Sequence, residues 1–158
     1  MTRTIFSLLF ASVLLGLLFT CGCSDPYSGA KQLLKENEEK WIEQSKLFNR
    51  DYTYTLQINC FCPTDITSPV VVMVLDGQTD SIVYQSDGQP ATNAVFDDIN
   101  TIEDLFAIIR DAINEKVDKL TVEYDANLGY PKAISIDPME NAVDEERAYS
   151  ILDFAILK

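Results

Sequence analysis

Tyr52-Thr53-Tyr54-Thr55-Leu56-Gln57-Ile58-Asn59-Cys60-Phe61-Cys62 is the stretch that decides the fold of this 158-residue chain. Tyr52, Tyr54, Leu56, Ile58, Cys60 and Cys62 share one parity, and Thr53, Thr55, Gln57 and Asn59 share the other. Period two with apolar residues on one parity is the signature of a strand with one buried face. Such a strand needs partners, and the following segments supply them. Pro63-Thr64-Asp65 break the run, and Val70-Val71-Val72-Met73-Val74-Leu75 predicts a second, more buried strand. Asp76-Gly77 is a two-residue hairpin signal into a third strand over 79–84, after which Asp87-Gly88-Gln89-Pro90 turns the chain out of the sheet.

Working outward, Ile102, Leu105, Phe106, Ile109 and Ile113 recur at helical spacing, with Thr101 as N-cap and Glu103 and Asp104 in the first turn, where the helix dipole favours them. Upstream, Leu33, Leu34, Trp41, Ile42, Ser45 and Phe48 form a looser apolar stripe, with Ser28 as a candidate N-cap, Trp41 as the packing anchor and Asn49 as the stop. Downstream, Leu120, Val122 and Tyr124 alternate with polar residues in a fourth strand. Asn127-Leu128-Gly129-Tyr130-Pro131 turns, 133–137 supplies a fifth, and 149–157 a last one after an acidic loop. The expected fold is α+β with two layers: a mostly antiparallel sheet of five or six strands and two helices on one face, in the order α-β-β-β-α-β-β-β. The repeated order makes internal duplication a hypothesis.

The N-terminus reads differently. After Met1-Thr2-Arg3-Thr4, residues 5–19 are apolar or small, too few for a membrane span of about 20 residues and suited to the h-region of an export signal. Thr20-Cys21-Gly22-Cys23-Ser24-Asp25 follows. Small residues before a cysteine are what lipoprotein processing reads, and Gly22 makes Cys23 the expected lipidation site rather than Cys21. The expected organisation is a removed signal over 1–22, a tether over 23–30 and one domain over 31–158, about 135 residues in all after cleavage and enough for a single core. The lipid would hold the protein in the bacterial cell envelope, facing away from the cytoplasm. Ser24 rather than Asp after the anchor favours an outer membrane where there is one. An ordinary secretory signal without lipid is the alternative.

Charge narrows the partners. Twelve Lys and Arg stand against 25 Asp and Glu, and Arg3 is the only charge before Cys23. Residues 31–50 are close to neutral, while 51–158 hold six basic and twenty acidic side chains. Such a balance repels nucleic acid and anionic lipid surfaces. The plain reading is a solvated acidic surface that keeps the domain soluble.

Trp41, the run Asp51-Tyr52-Thr53-Tyr54-Thr55-Leu56, then Cys60-Phe61-Cys62, Leu105-Phe106, Tyr124-Asp125, Gly129-Tyr130-Pro131, Ile136-Asp137 and Asp144-Glu145-Glu146 together resemble a bacterial family known as domain of unknown function 6174. The resemblance covers roughly residues 33–154. It implies an exported or lipid-anchored single domain and brings no activity, ligand or catalytic residue.

Three constellations bear on chemistry. In an extended strand the side chains of Cys60 and Cys62 stand about 6.5–7 Å apart, so a disulfide needs a bend, which Pro63 permits. In an oxidising envelope a disulfide is the leading expectation. Two buried reduced thiols, or a redox or metal role, are the alternatives, the last disfavoured by the C-x-C spacing and by the absence of histidine. Asp137, Glu140 and Asp144 are weak calcium candidates in an acidic stretch that lacks the EF-hand order, so no metal and no cofactor is expected. Among the tyrosines, Tyr130 on its turn is the one expected to be exposed and available for binding. Without histidine there is no Ser-His or Cys-His pair, and no glycine-rich phosphate loop is present. The expected function is a non-catalytic binding or interaction module with an envelope protein as partner. The alternatives are a structural accessory of an envelope assembly and, last, a carboxylate-dependent hydrolase.

Overall fold

The computed structural model describes residues 26–139 and 141–158. The signal segment, Cys23 and Glu140 lie outside the described residues.

The first helix, α1, spans Ser28–Ser45 and continues through a short 3-10 turn at Lys46–Phe48. It begins inside the expected tether. Ser28 is its first residue rather than its cap, and Tyr27 at the cap position makes no side-chain capping bond. Instead, the Tyr27 hydroxyl donates to the carbonyl of Val117, which ties the helix start to the far end of the second long helix. Only Leu34, Trp41 and Ser45 of α1 are buried, while Leu33 and Ile42 are exposed, so the apolar stripe is narrower than its sequence implies. Asn49 ends the element in the left-handed region (φ 56°), and Arg50 follows in the same region (φ 58°). Two such residues in succession reverse the chain into the sheet.

Strand β1 (Tyr52–Asn59) leads through a one-turn helix α2 (Thr64–Thr67) into β2 (Val70–Leu75) and β3 (Gln78–Tyr84). The β2–β3 hairpin turns on Asp76 and Gly77, both at positive φ (52° and 74°), as a two-residue turn matched to strand twist requires. Arg50 packs against this turn so closely that a Cβ on Gly77 would lie 2.9 Å from its guanidinium. A second one-turn helix, α3 (Val95–Asp98), precedes α4 (Ile102–Glu115). Thr101 caps α4 in a full capping box: its hydroxyl accepts from the Asp104 N–H, and the Asp104 carboxylate accepts from the Thr101 N–H at 2.8 Å. Strands β4 (Lys119–Tyr124), β5 (Pro131–Asp137) and β6 (Arg147–Ile156) complete the chain.

The six strands form one sheet in the order β3-β2-β1-β6-β5-β4, and every neighbouring pair is antiparallel. The fold is therefore α+β, with α1 and α4 packed on each other and on one face of the sheet. The strand positions do not repeat as the element order does. β1 is central whereas β4 is at an edge, so the two α-β-β-β units are placed differently in the sheet.

Register puts Tyr54 opposite Val72, Leu56 opposite Ile151 and Ile134 opposite Tyr149, all buried on the helix side. β2 alternates in burial although its sequence is an unbroken apolar run. Val70, Val72 and Val74 are fully buried, whereas Val71 and Met73 stand half-buried on the opposite face beside Thr53, Thr55 and Val83. Burying one large apolar side chain contributes about 1.5–3 kcal/mol, and the densest such burial surrounds Trp41. Its indole, with no solvent exposure, meets Tyr52, Phe154, Phe48 and Tyr130 edge-on at ring centroid distances of 5.2, 6.0, 6.1 and 6.2 Å.

Candidate functional site

Tyr130 belongs to that cluster, which corrects the expectation that it is exposed. Its ring stacks on Phe154 at 4.5 Å and is 7 % exposed. The reason lies one residue earlier. Gly129 (φ 85°) presses against α1 so closely that a Cβ there would meet the Asn37 carbonyl oxygen at 2.6 Å. The turn that looked like a surface loop is clamped to a helix, and Lys40 fastens it further by donating to the Ala126 carbonyl.

Beneath the cluster lies a polar knot. The Trp41 indole N–H donates to Glu103 Oε1 at 2.9 Å, and the Tyr52 hydroxyl accepts from the Ile102 N–H at 3.2 Å while donating to Glu103 Oε2 at 3.5 Å. Burial first, then the neighbouring Glu103 carboxylate, holds the Tyr52 hydroxyl protonated far above its ordinary range. Tyr54 is raised likewise by burial, and its hydroxyl has no hydrogen-bond partner among the described residues. Trp41, Tyr52 and Tyr54 belong to the buried core, whereas Glu103 is an exposed residue whose carboxylate reaches the Trp41 and Tyr52 side chains from the surface. Beside it, Lys46 and Arg50 face Glu103 across a cavity of about 380 Å³ whose charges are mixed. On the other flank, exposed Leu33 and the edge strand β4 enclose an apolar groove of about 280 Å³. Burial there pushes the Tyr124 hydroxyl up to about 12.

The opposite end of β1 is built differently. Asn59, the last residue of the strand, pairs with Ala148 near the start of β6, which brings Cys60-Phe61-Cys62 beside the loop leading into β6. Cys60 and Cys62 are joined by a disulfide with their Cα atoms 5.2 Å apart, closer than an extended strand places residues i and i+2. The bend at the strand end provides that approach. Pro63 then leads into α2 rather than merely breaking the strand. Cys60 is half-buried and touches the core, Cys62 is exposed, and the Phe61 ring between them is 82 % exposed.

Two adjoining clefts, of about 350 and 410 Å³, open at this pole. Cys60, Phe61, Asp144, Glu146 and Arg147 line both, and Cys62, Pro138 and Glu145 complete the second. Met139 (57 % exposed) and Val143 (81 % exposed) adjoin those lining residues in sequence. The pole thus combines exposed apolar side chains, a row of carboxylates and one guanidinium. Of the calcium candidates, Asp137 Oδ1 accepts from the Met139 N–H at 3.2 Å, and Asp144 (φ 70°) lines the cleft. Among the described residues no three His, Cys, Asp or Glu side chains are placed to hold a metal ion.

Sequence reasoning found the cysteines and the carboxylates but not Arg147, Asn59 or Ser135, which reach the cleft through the β1–β6 and β5–β6 pairings. No local pattern encodes which strand lies beside which. One signal for Phe61 was present: it is an aromatic residue on the polar parity of the strand.

Neither the curated proteins nor the solved structures offer a match to this chain. A family model does match, over residues 33–156, from the second turn of α1 to the last residue of β6. With nearly the whole described domain covered, the chain belongs to the family of unknown function DUF6174.

Proposed function

We propose that this protein is a bacterial lipoprotein, cleaved before Cys23 and held by acyl chains at the envelope, in the outer membrane where there are two. Its domain is a non-catalytic binding module that takes an envelope protein at the Phe61 pole. The observation that carries this reading is Phe61 itself, an aromatic ring 82 % exposed between two cross-linked residues. Leaving such a ring in water forfeits about 1.5–3 kcal/mol of burial, which a partner's apolar surface recovers. Because the ring's backbone is pinned on both sides, little conformational freedom is lost on docking. The chain has no histidine, which removes the commonest acid–base partner of a nucleophile.

Two measurements test this. A photocrosslinking phenylalanine analogue at position 61 in intact cells is expected to give a discrete protein adduct, while the same analogue at exposed Asn114 on α4 gives none. No adduct at position 61, or the same adducts from both positions, overturns the docking site. Intact mass of the membrane-extracted protein is expected to show acyl chains on a product beginning at Cys23, and an unacylated mature chain overturns the anchor.

A further inference from the structure

We infer that Cys60–Cys62 is a redox-active pair, which a dithiol protein of the same compartment reduces, and a disulfide protein re-forms, while the fold stays intact. This deepens the reading above and rests on the Phe61 pole being where a partner docks.

Position is the first ground. Both cysteines lie just past β1 on a single segment, so the bond ties together no two elements of the fold. Disulfides stabilise chiefly by closing long loops in the unfolded chain, and a sequence separation of two gives the smallest such effect. The hydrogen-bonded pairing of β1 with β6 holds the strand end in place without it. Access is the second ground. Cys62 is exposed and borders an open cleft, and exposed disulfides are the more labile ones in thiol exchange. The third is recognition. Phe61 offers apolar contact between the two cysteines, Met139 and Val143 add exposed apolar side chains next in sequence to the cleft lining, and the Asp144, Glu145 and Glu146 carboxylates favour a partner with basic residues around its thiols.

The exchange follows from these positions. A partner thiolate attacks Sγ of Cys62, the exposed sulfur. The Cys60–Cys62 bond breaks, and its electron pair leaves on Cys60 Sγ, which takes a proton from solvent. Cys62 is now in a mixed disulfide with the partner. The partner's second thiolate attacks its own sulfur in that bond, and Cys62 departs as a thiolate that is protonated in turn. Two electrons and two protons have passed from the partner dithiol, which becomes a disulfide, to Cys60 and Cys62. Arg147 is the cation among the residues that line both clefts with Cys60, and its charge favours the departing Cys60 thiolate.

The test uses the full chain in detergent with Cys21→Ser and Cys23→Ser, so that Cys60 and Cys62 are the only thiols, and glutathione as the probe. Alkylation mass shifts across mixtures of reduced and oxidised glutathione are expected to show both redox forms populated, with near-UV circular dichroism unchanged. A structural disulfide resists this buffer. A pair that stays oxidised at every ratio, or one whose reduction abolishes the near-UV signal, overturns the inference. With oxidised glutathione, Cys62 in the Cys60→Ser variant is expected to form its mixed disulfide about tenfold faster than Cys60 in the Cys62→Ser variant. Equal rates overturn the order of attack. None of these readouts requires docking, so a failed crosslink at Phe61 and a failed titration are distinguishable.

Discussion

At one end of β1, Tyr52 is closed under Trp41 and Phe154 with no solvent exposure. At the other, Phe61 stands in water two residues past Asn59. Both ends carry aromatic side chains, but they are held by different means. The Trp41 end gathers residues from α1, β1, the turn before β5, and β6, so its packing joins segments as far apart in sequence as Trp41 and Phe154. The Phe61 end is held by a ring that closes within three residues. Long-range packing transmits any loss to the whole fold, whereas a local ring confines it. The first end is expected to control the stability of the whole fold, and the second to change with little effect on it.

Substitutions and pH can break this contrast or sharpen it. Trp41→Ala is expected to cost about 3–5 kcal/mol in urea unfolding, because it empties the centre of five rings. Alkaline pH acts on the same end. The folded pKa values of Tyr52 and Tyr54 lie above the unfolded value of 10.0, so the unfolded chain loses protons first and stability falls as pH rises past 10. At about 1.4 kcal/mol per pH unit for a tyrosine that stays protonated only in the folded state, Tyr52 alone removes about 1.4 kcal/mol by pH 11, and Tyr54 adds to the loss in the same direction. Stability that is flat from pH 8 to 11 would contradict it. Gly129→Ala is expected to cost about 2 kcal/mol or more, from positive φ combined with the clash against the Asn37 carbonyl. Thr101→Ala, which removes half of the capping box, is expected to cost about 1 kcal/mol. Phe61→Ala is expected to shift stability by less than about 0.5 kcal/mol, because its ring is already in water. A large loss there would erase the distinction between the two ends.

The same contrast marks what the sequence can convey. β1 as far as Asn59, the Asp76-Gly77 hairpin and the Thr101 cap are local devices whose chemistry is complete within a few residues, and each stands where its pattern implies, whereas the alternation that continues through Cys60 and Cys62 does not extend the strand and leaves Cys62 exposed. The one-turn helices α2 and α3 are too short to have a period. Tyr130 was misplaced because Gly-Tyr-Pro resembles a free turn unless α1 is known to lie against it. Leu33 and Ile42 were misplaced because only part of the α1 stripe meets α4 and the sheet. At the Phe61 pole the cysteines were legible, but the cleft was not, since it exists only once β6 lies beside β1.

That placement of β6 also bears on how the chain reaches its fold. The strand made last among the six takes a position in the middle of the sheet, between β1 and β5. Until it arrives, the β1-β2-β3 meander and the β4-β5 hairpin each present an unpaired inner edge, the kind of edge that other chains can join. Neither half can seal against the other, and Trp41 lacks Phe154. Closure of the sheet therefore depends on residues 147–156, and in a chain that still lacks them both edges stay open until β6 pairs with each.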